Sequence, residues 1–169
     1  ADAGLSEFLA LDPALLRGDW AALPGLVGYA LVHSPLDVLH VAFNAYLLFV
    51  FGPEVETLYP KKRFLKFLLV VVLAGAAVHL LLSWAAPRDF GSAVVGGSGI
   101  VSAVIAVNAA VYPDRVLNLI LLQVRMIRFF QVLLVLDILG FLAVAAHRGG
   151  MVAVDVHLAG AAVGWTWAG

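Results

Sequence analysis

The sequence predicts an all-α membrane protein, a polytopic transmembrane helix bundle with five membrane helices in a single domain over residues 1–169. Three observations predict it. The chain is 63% hydrophobic and 12% charged, with a mean hydropathy of +1.03. A soluble domain is about a quarter charged, and a chain this apolar cannot hide its surface from water at this size. The apolar residues fall in five long segments separated by polar or helix-breaking punctuation. The alternating pattern of a membrane β-barrel is absent, so in lipid the backbone must bond to itself as helices.

Residues 1–35 are mixed, broken by Asp12-Pro13, Gly18-Asp19, Pro24-Gly25 and Pro35. They read as a loop with short surface helices. The first apolar segment runs from about Leu36 to Phe51 and ends at Gly52-Pro53. The second runs from about Phe64 to Trp84, after Lys61-Lys62-Arg63, and the third from about Ser98 to Tyr112, stopping at Pro113. The fourth covers about Phe129 to Ala146, and the fifth starts near Val152 and is still apolar at Gly169. No cleavable signal peptide is visible and the first residue is Ala1, so a trimmed N-terminus is expected.

Charge sets the expected orientation. Lys61, Lys62, Arg63, Lys66, Arg115, Arg125 and Arg128 follow the first and third segments, whereas Arg17, Arg88 and Arg148 fall on the other side, seven against three. The first and third helices should end in the cytoplasm. The net charge of −1 implies no bulk polyanion partner, so no nucleic acid is expected. With no cysteine, disulfides, thiolate zinc sites and Cys nucleophiles are excluded.

The third segment carries the chemistry. It has room for about 15 helical residues, roughly 22 Å of rise, short of the hydrocarbon thickness by roughly 8 Å. Ser98 should therefore start its helix below the outer surface, reached by a loop through Gly96-Gly97. Non-helical backbone at that depth needs protein or a water-filled cavity around it. His157 lies roughly 7–8 Å below a helix start at Val152, a matching depth. Ser98, Ser102, Ala106 and Ala110 recur on one face, and His157, Gly160, Ala161 and Gly164 on another. Small residues at that spacing let membrane helices approach, and the two stripes would bring the Ser98 hydroxyl to His157, as an activated serine requires. Taken singly, these signals are ordinary: GxxxG is commonly packing, and Gly-Gly-Ser before a helix is commonly an N-cap.

His40 and Asn44 stand i, i+4 on the first segment and, with the Ser98 backbone N–H, supply donors suited to an oxyanion, or else a structural polar pair. His33 is a further donor or, preferably, shapes the loop. Asp137, His79 and Asn108 lie inside apolar segments. A mutual hydrogen bond, Asp137 with His79, is preferred over a proton or ion path.

Several stretches resemble the rhomboid family of intramembrane serine proteases. These are His33-Ser34 through His40-Val41-Ala42-Phe43-Asn44, Gly52-Pro53-Glu54-Val55-Glu56, Gly96-Gly97-Ser98-Gly99, and His157-Leu158-Ala159-Gly160 with Gly164. They are similar, in order, to the family's HxxxN, GxxxE, GxSG and H-x-x-G-x-x-x-G patterns, across about residues 10–167. The resemblance implies Ser98 as nucleophile and His157 as base, in a dyad without a carboxylate. Asp155 is two residues from His157 and should point elsewhere. It implies His40 and Asn44 at the oxyanion, and Gly96, Gly97, Gly99, Gly160, Gly164 and Glu56 as supporting positions, with Glu56 at the cytoplasmic end of the first helix. Residues 1–37 become a membrane-associated loop and 38–169 a helical core, with the family's usual first helix absent. Where the family carries an aromatic stacked on the histidine, this chain has Ser102; its Trp-Arg pair is reduced to Trp20-Ala21.

The resemblance implies a multi-pass protein of the bacterial inner (plasma) membrane, with its site opening to the outer side. Its partners would be the lipid bilayer and transmembrane protein substrates, and neither metal nor cofactor is needed. Oligomeric state is left open. Two other classes stay open: a catalytically silent relative that grips transmembrane helices, and a small transporter using His79, Asn108 and Asp137.

Overall fold

The structure is a computed structural model, and it describes residues 3–34, 38–118, 123–146 and 153–169. The expected helix starts at Leu36 and Val152, and the outer-side Arg148, lie outside the described residues.

The N-terminal region is a chain of short turns, as its prolines and glycines dictate. Helix α1 (Ala3–Leu9) leads to 3-10 turns at Pro13–Arg17 and Trp20–Ala22, then to α2 (Gly25–Gly28) and a last 3-10 turn at Tyr29–Leu31. Asp12 and Asp19 cap the first two turns, accepting from Ala14 N–H at 2.7 Å and Ala21 N–H at 3.1 Å. Gly18 takes the left-handed conformation (φ 87°) that ends the first.

Helix α3 (Val38–Leu58) is longer than the sequence suggests, because it continues through Gly52-Pro53. Proline removes one backbone donor, a loss that neighbouring groups can absorb inside a membrane helix. Here Asn108 Nδ2 reaches across to Phe51 O at 3.2 Å and ties α3 to its neighbour beside that turn. Helix α4 (Lys61–Ala85) follows, then the single turn α5 (Pro87–Phe90) and α6 (Ser98–Val111). A short hairpin, β1 (Val116–Asn118) with β2 (Gln123–Arg125), pairs Val116 with Arg125 and Leu117 with Val124. It was not expected, since three-residue strands leave no periodic signal. Helices α7 (Met126–Ala145) and α8 (Val154–Trp167) complete the chain.

Helix α6 is the centre. Ala103, Val104, Ile105, Ala106, Val107 and Ala109 are all buried, enclosed by α3, α4, α7 and α8. Its neighbours turn apolar side chains outward: Leu39 and Phe49 on α3, Leu65, Leu69 and Leu81 on α4, and Val132, Val135 and Leu142 on α7 are exposed. An apolar exterior around an apolar centre is the distribution of a bundle solvated by lipid. Among the described residues α3, α4 and α7 are long and apolar enough to cross a membrane. At 14 residues each, α6 and α8 are shorter, and roughly 20 Å of rise places them within the bundle.

Candidate active site

The loop entering α6 is held by the N-terminal turns. Gly96 has φ 129°, which glycine alone adopts without strain, and its N–H donates to Tyr29 O at 2.8 Å. Gly97 N–H donates to His33 Nε2 at 3.3 Å. The turns are in turn fastened to the bundle, because Tyr29 Oη donates to Val72 O of α4 at 2.9 Å, over the space left by Gly75. An antiparallel bridge between Leu11 and Val94 adds a second fastening. Ser98 thereby begins α6 as a buried residue. His33 is the loop-shaping residue. Burial and the nearby His40 hold its imidazole below the ordinary value of 6.5, in the neutral form that can accept from Gly97.

Helices α6 and α8 run parallel with their backbones touching. A Cβ on Gly160 would stand 2.1 Å from Gly99 O, and one on Gly164 would stand 2.2 Å from Ala103 O. The approach thus uses Gly99 and Ala103, one residue round from the stripe expected on α6. Ser98 and Ser102 instead line a cavity beside the seam. The reason is steric: glycine and alanine allow backbone contact, whereas hydroxyls need room and partners. Because the helices are parallel, Ser98 at the head of one and His157 in the first turn of the other lie at similar depth.

That cavity has a volume near 420 Å³, and His40, Asn44, Ser98, Ser102, Asp137 and His157 supply its polar wall. Leu47, Val101, Ile105, Leu133 and Leu136 supply apolar wall. Asn44 is buried, and its Nδ2 has no acceptor among the described residues. His157 Nε2 is likewise buried, with no partner among the described residues. The hydrogen bond expected between Ser98 and His157 is therefore not made in this state, although both face the same space. His40 lies with its ring centroid 6.4 Å from that of His33.

Two expectations about charge are overturned. His157 does have a carboxylate partner: its Nδ1 is 2.9 Å from Asp137 Oδ1. His79 does not pair with Asp137; its Nδ1 is 2.7 Å from Asp155 Oδ2, and its Nε2 is 3.0 Å from Ser92 O. Helix α8 packs against both α4 and α7. Residues two apart on a helix project to nearly opposite sides, so Asp155 reaches α4 while His157 reaches α7. Asp137 was visible as a charge in an apolar segment, but its partner depended on which helices are neighbours.

At the far end of α3, Glu56 is exposed and makes no hydrogen bond or ion pair among the described residues. The acid that bonds there is Glu54, to Arg115 beyond α6. A glutamate two residues earlier, itself half-exposed, is turned toward the connection that follows α6. Asn108 is fully buried, donating to Phe51 O and Val104 O.

A helical bundle with lipid-facing flanks and a polar cavity sunk among its helices defines an integral membrane protein with an internal site. The chain matches the family model of the Rhomboid domain over residues 20–169, and it belongs to the rhomboid family. Rhomboids are typically intramembrane serine proteases. No curated protein and no solved structure matches the chain.

Proposed function

We propose that this protein is an intramembrane serine endopeptidase in which Ser98 attacks and His157 serves as general base. One observation carries the reading: among the described residues a buried imidazole nitrogen of His157 has no donor and the buried carboxamide N–H₂ of Asn44 has no acceptor, and both residues line the same cavity as Ser98. Buried polar groups are nearly always paired, so orphans facing a shared space call for a partner that arrives. A carbonyl undergoing acyl transfer supplies both needs. The hydroxyl proton moves to His157 Nε2 as Oγ bonds the carbonyl carbon, and the oxyanion accepts from Asn44, His40 and the Ser98 N–H. Catalytic hydrogen bonds are often long before substrate binds, which is compatible with the open Ser98–His157 contact.

The substrate class is the transmembrane or membrane-proximal segment of another membrane protein, locally unwound to present its backbone. We place five helices in the bilayer, α6 and α8 included, with the site opening to the outer side of a bacterial inner membrane, by the excess of Lys and Arg at the opposite end. Gly96, Gly97, Gly99, Gly160 and Gly164 act as supports, through the loop and seam described above.

Fluorophosphonate treatment of the full chain should label Ser98, and a transmembrane test substrate should be cut. Both should vanish in Ser98→Ala, with cleavage lost in His157→Ala. A well-folded chain that binds helices without labelling or cutting would instead be a silent relative. The bonds of His79 to Asp155 and Ser92 O, and of Asn108 Nδ2 to Phe51 O and Val104 O, favour a fastening role for these two residues over a transporter's polar path.

A further inference from the structure

We infer that Asp137 is a positioning residue for catalysis, so that the site works as a Ser98–His157–Asp137 relay of contacts and not as a bare pair; this rests on the protease reading above.

The molecule supplies its own comparison. Among the described residues it holds two histidine–aspartate pairs, one buried and one half-buried, and they differ at the second ring nitrogen. His79 has both nitrogens satisfied, by Asp155 at 2.7 Å and by Ser92 O at 3.0 Å, bridging α4, α8 and the connection after α5. That is a fastening. His157 has Nδ1 on Asp137 at 2.9 Å while Nε2 has no partner among the described residues, and His157 lines the cavity with Ser98. A pair present only to hold helices together has no reason to leave one buried nitrogen unpaired beside a cavity that also holds a serine.

The position of Asp137 points the same way. It lies midway along α7, among Leu133, Leu134, Leu136 and Leu139, where a carboxylate is costly and is retained for a partner or a function. Residue 102 supplies the complementary observation. Ser102 lines the same cavity and is too small to hold the imidazole by stacking. The ring's orientation is set by the Asp137 bond.

The chemical consequence is specific. A carboxylate on Nδ1 selects the tautomer whose proton is on Nδ1 and whose lone pair is on Nε2. In the first step the Ser98 Oγ–H proton passes to Nε2 as the Oγ–C bond forms, and the carbonyl π pair moves to oxygen. In the second the C–N bond breaks as the same proton passes from Nε2 to the leaving amine. Asp137 keeps its hydrogen bond to Nδ1 throughout and stabilises the transient imidazolium; it does not touch substrate.

The test uses the full chain in liposomes, with a cleavable transmembrane substrate and a fluorophosphonate. In Asp137→Asn, kcat should fall about 10²- to 10⁴-fold with KM unchanged, the signature of orientation lost in the transition state. Spectra of ¹⁵N-histidine-labelled protein should show the downfield Nδ1–H of His157 in the wild type and its loss in the variant. A purely structural role would lower the folded fraction and leave kcat per folded molecule and the probe-labelling rate intact. That result overturns the inference, as does wild-type kcat in Asp137→Asn. If the Asn variant does not fold, Asp137→Glu decides. Activity within about tenfold of wild type supports the carboxylate's role, and a loss as complete as that of His157→Ala overturns it. Wild-type protein that neither labels nor cleaves would remove the protease reading itself, an outcome distinct from an active wild type indifferent to Asp137.

Discussion

Hydrogen bonds made by single side chains set this site, and each has a measurable consequence. His33 accepts from Gly97 N–H only when neutral. Its folded-state value lies below the ordinary 6.5, because burial and His40 both disfavour the cation. Below that unfolded value the unfolded chain binds more protons than the folded one, so stability is full above about pH 6.5 and declines as pH falls beneath it. Melting in detergent from pH 8 to pH 5 should show that decline, and His33→Gln, which keeps an acceptor but does not titrate, should flatten it. Asn44→Ala removes a donor that has no acceptor among the described residues. It should lower kcat about 10²- to 10³-fold with little loss of stability, read from cleavage rates beside a melting curve. His79→Ala is the contrasting case. It strands the buried Asp155 carboxylate and should destabilise the fold by about 3–5 kcal/mol, measured by unfolding in mixed micelles.

At the scale of elements, the seam between α6 and α8 decides whether the cavity's two reactive groups share a space. The backbone approach at Gly160 leaves no room for even a methyl group, since a Cβ would stand 2.1 Å from Gly99 O. Gly160→Ala should therefore force the helices apart and destabilise by about 1–3 kcal/mol, and Gly160→Leu should abolish fluorophosphonate labelling of Ser98. The labelling assay on purified variants separates this from simple loss of expression. The stripe on α8 was readable in the sequence as GxxxG. Its partner on α6 was not, because Ser98-x-x-x-Ser102 and Gly99-x-x-x-Ala103 have the same small-residue spacing. Only packing chose between them. In α3 the local rule misled for a similar reason. Gly-Pro ends helices in water, yet Pro53 sits inside this helix, with the buried side chain of Asn108 bonded nearby.

At the scale of the whole molecule, the bundle is an apolar-sided membrane body with a polar cavity near one end. The chain has no cysteine, so single cysteines can report its orientation without background. Lys62→Cys should react with a membrane-impermeant maleimide only from the cytoplasmic side, and Arg88→Cys only from the outer side. The reverse pattern would invert the proposed topology.

Composition, segment lengths and the order of four short motifs carried the membrane class, the rhomboid family and the candidate residues Ser98, His157, His40 and Asn44. Those features act within one segment, where periodicity and turn chemistry are local. The pairings between segments came from the fold: Asp137 with His157, Asp155 with His79, Glu54 with Arg115, and Gly99 against Gly160. An ion pair or a backbone contact between helices depends on which elements are neighbours and how each is rotated, and one rotation of a helix exchanges partners without altering a letter of its pattern.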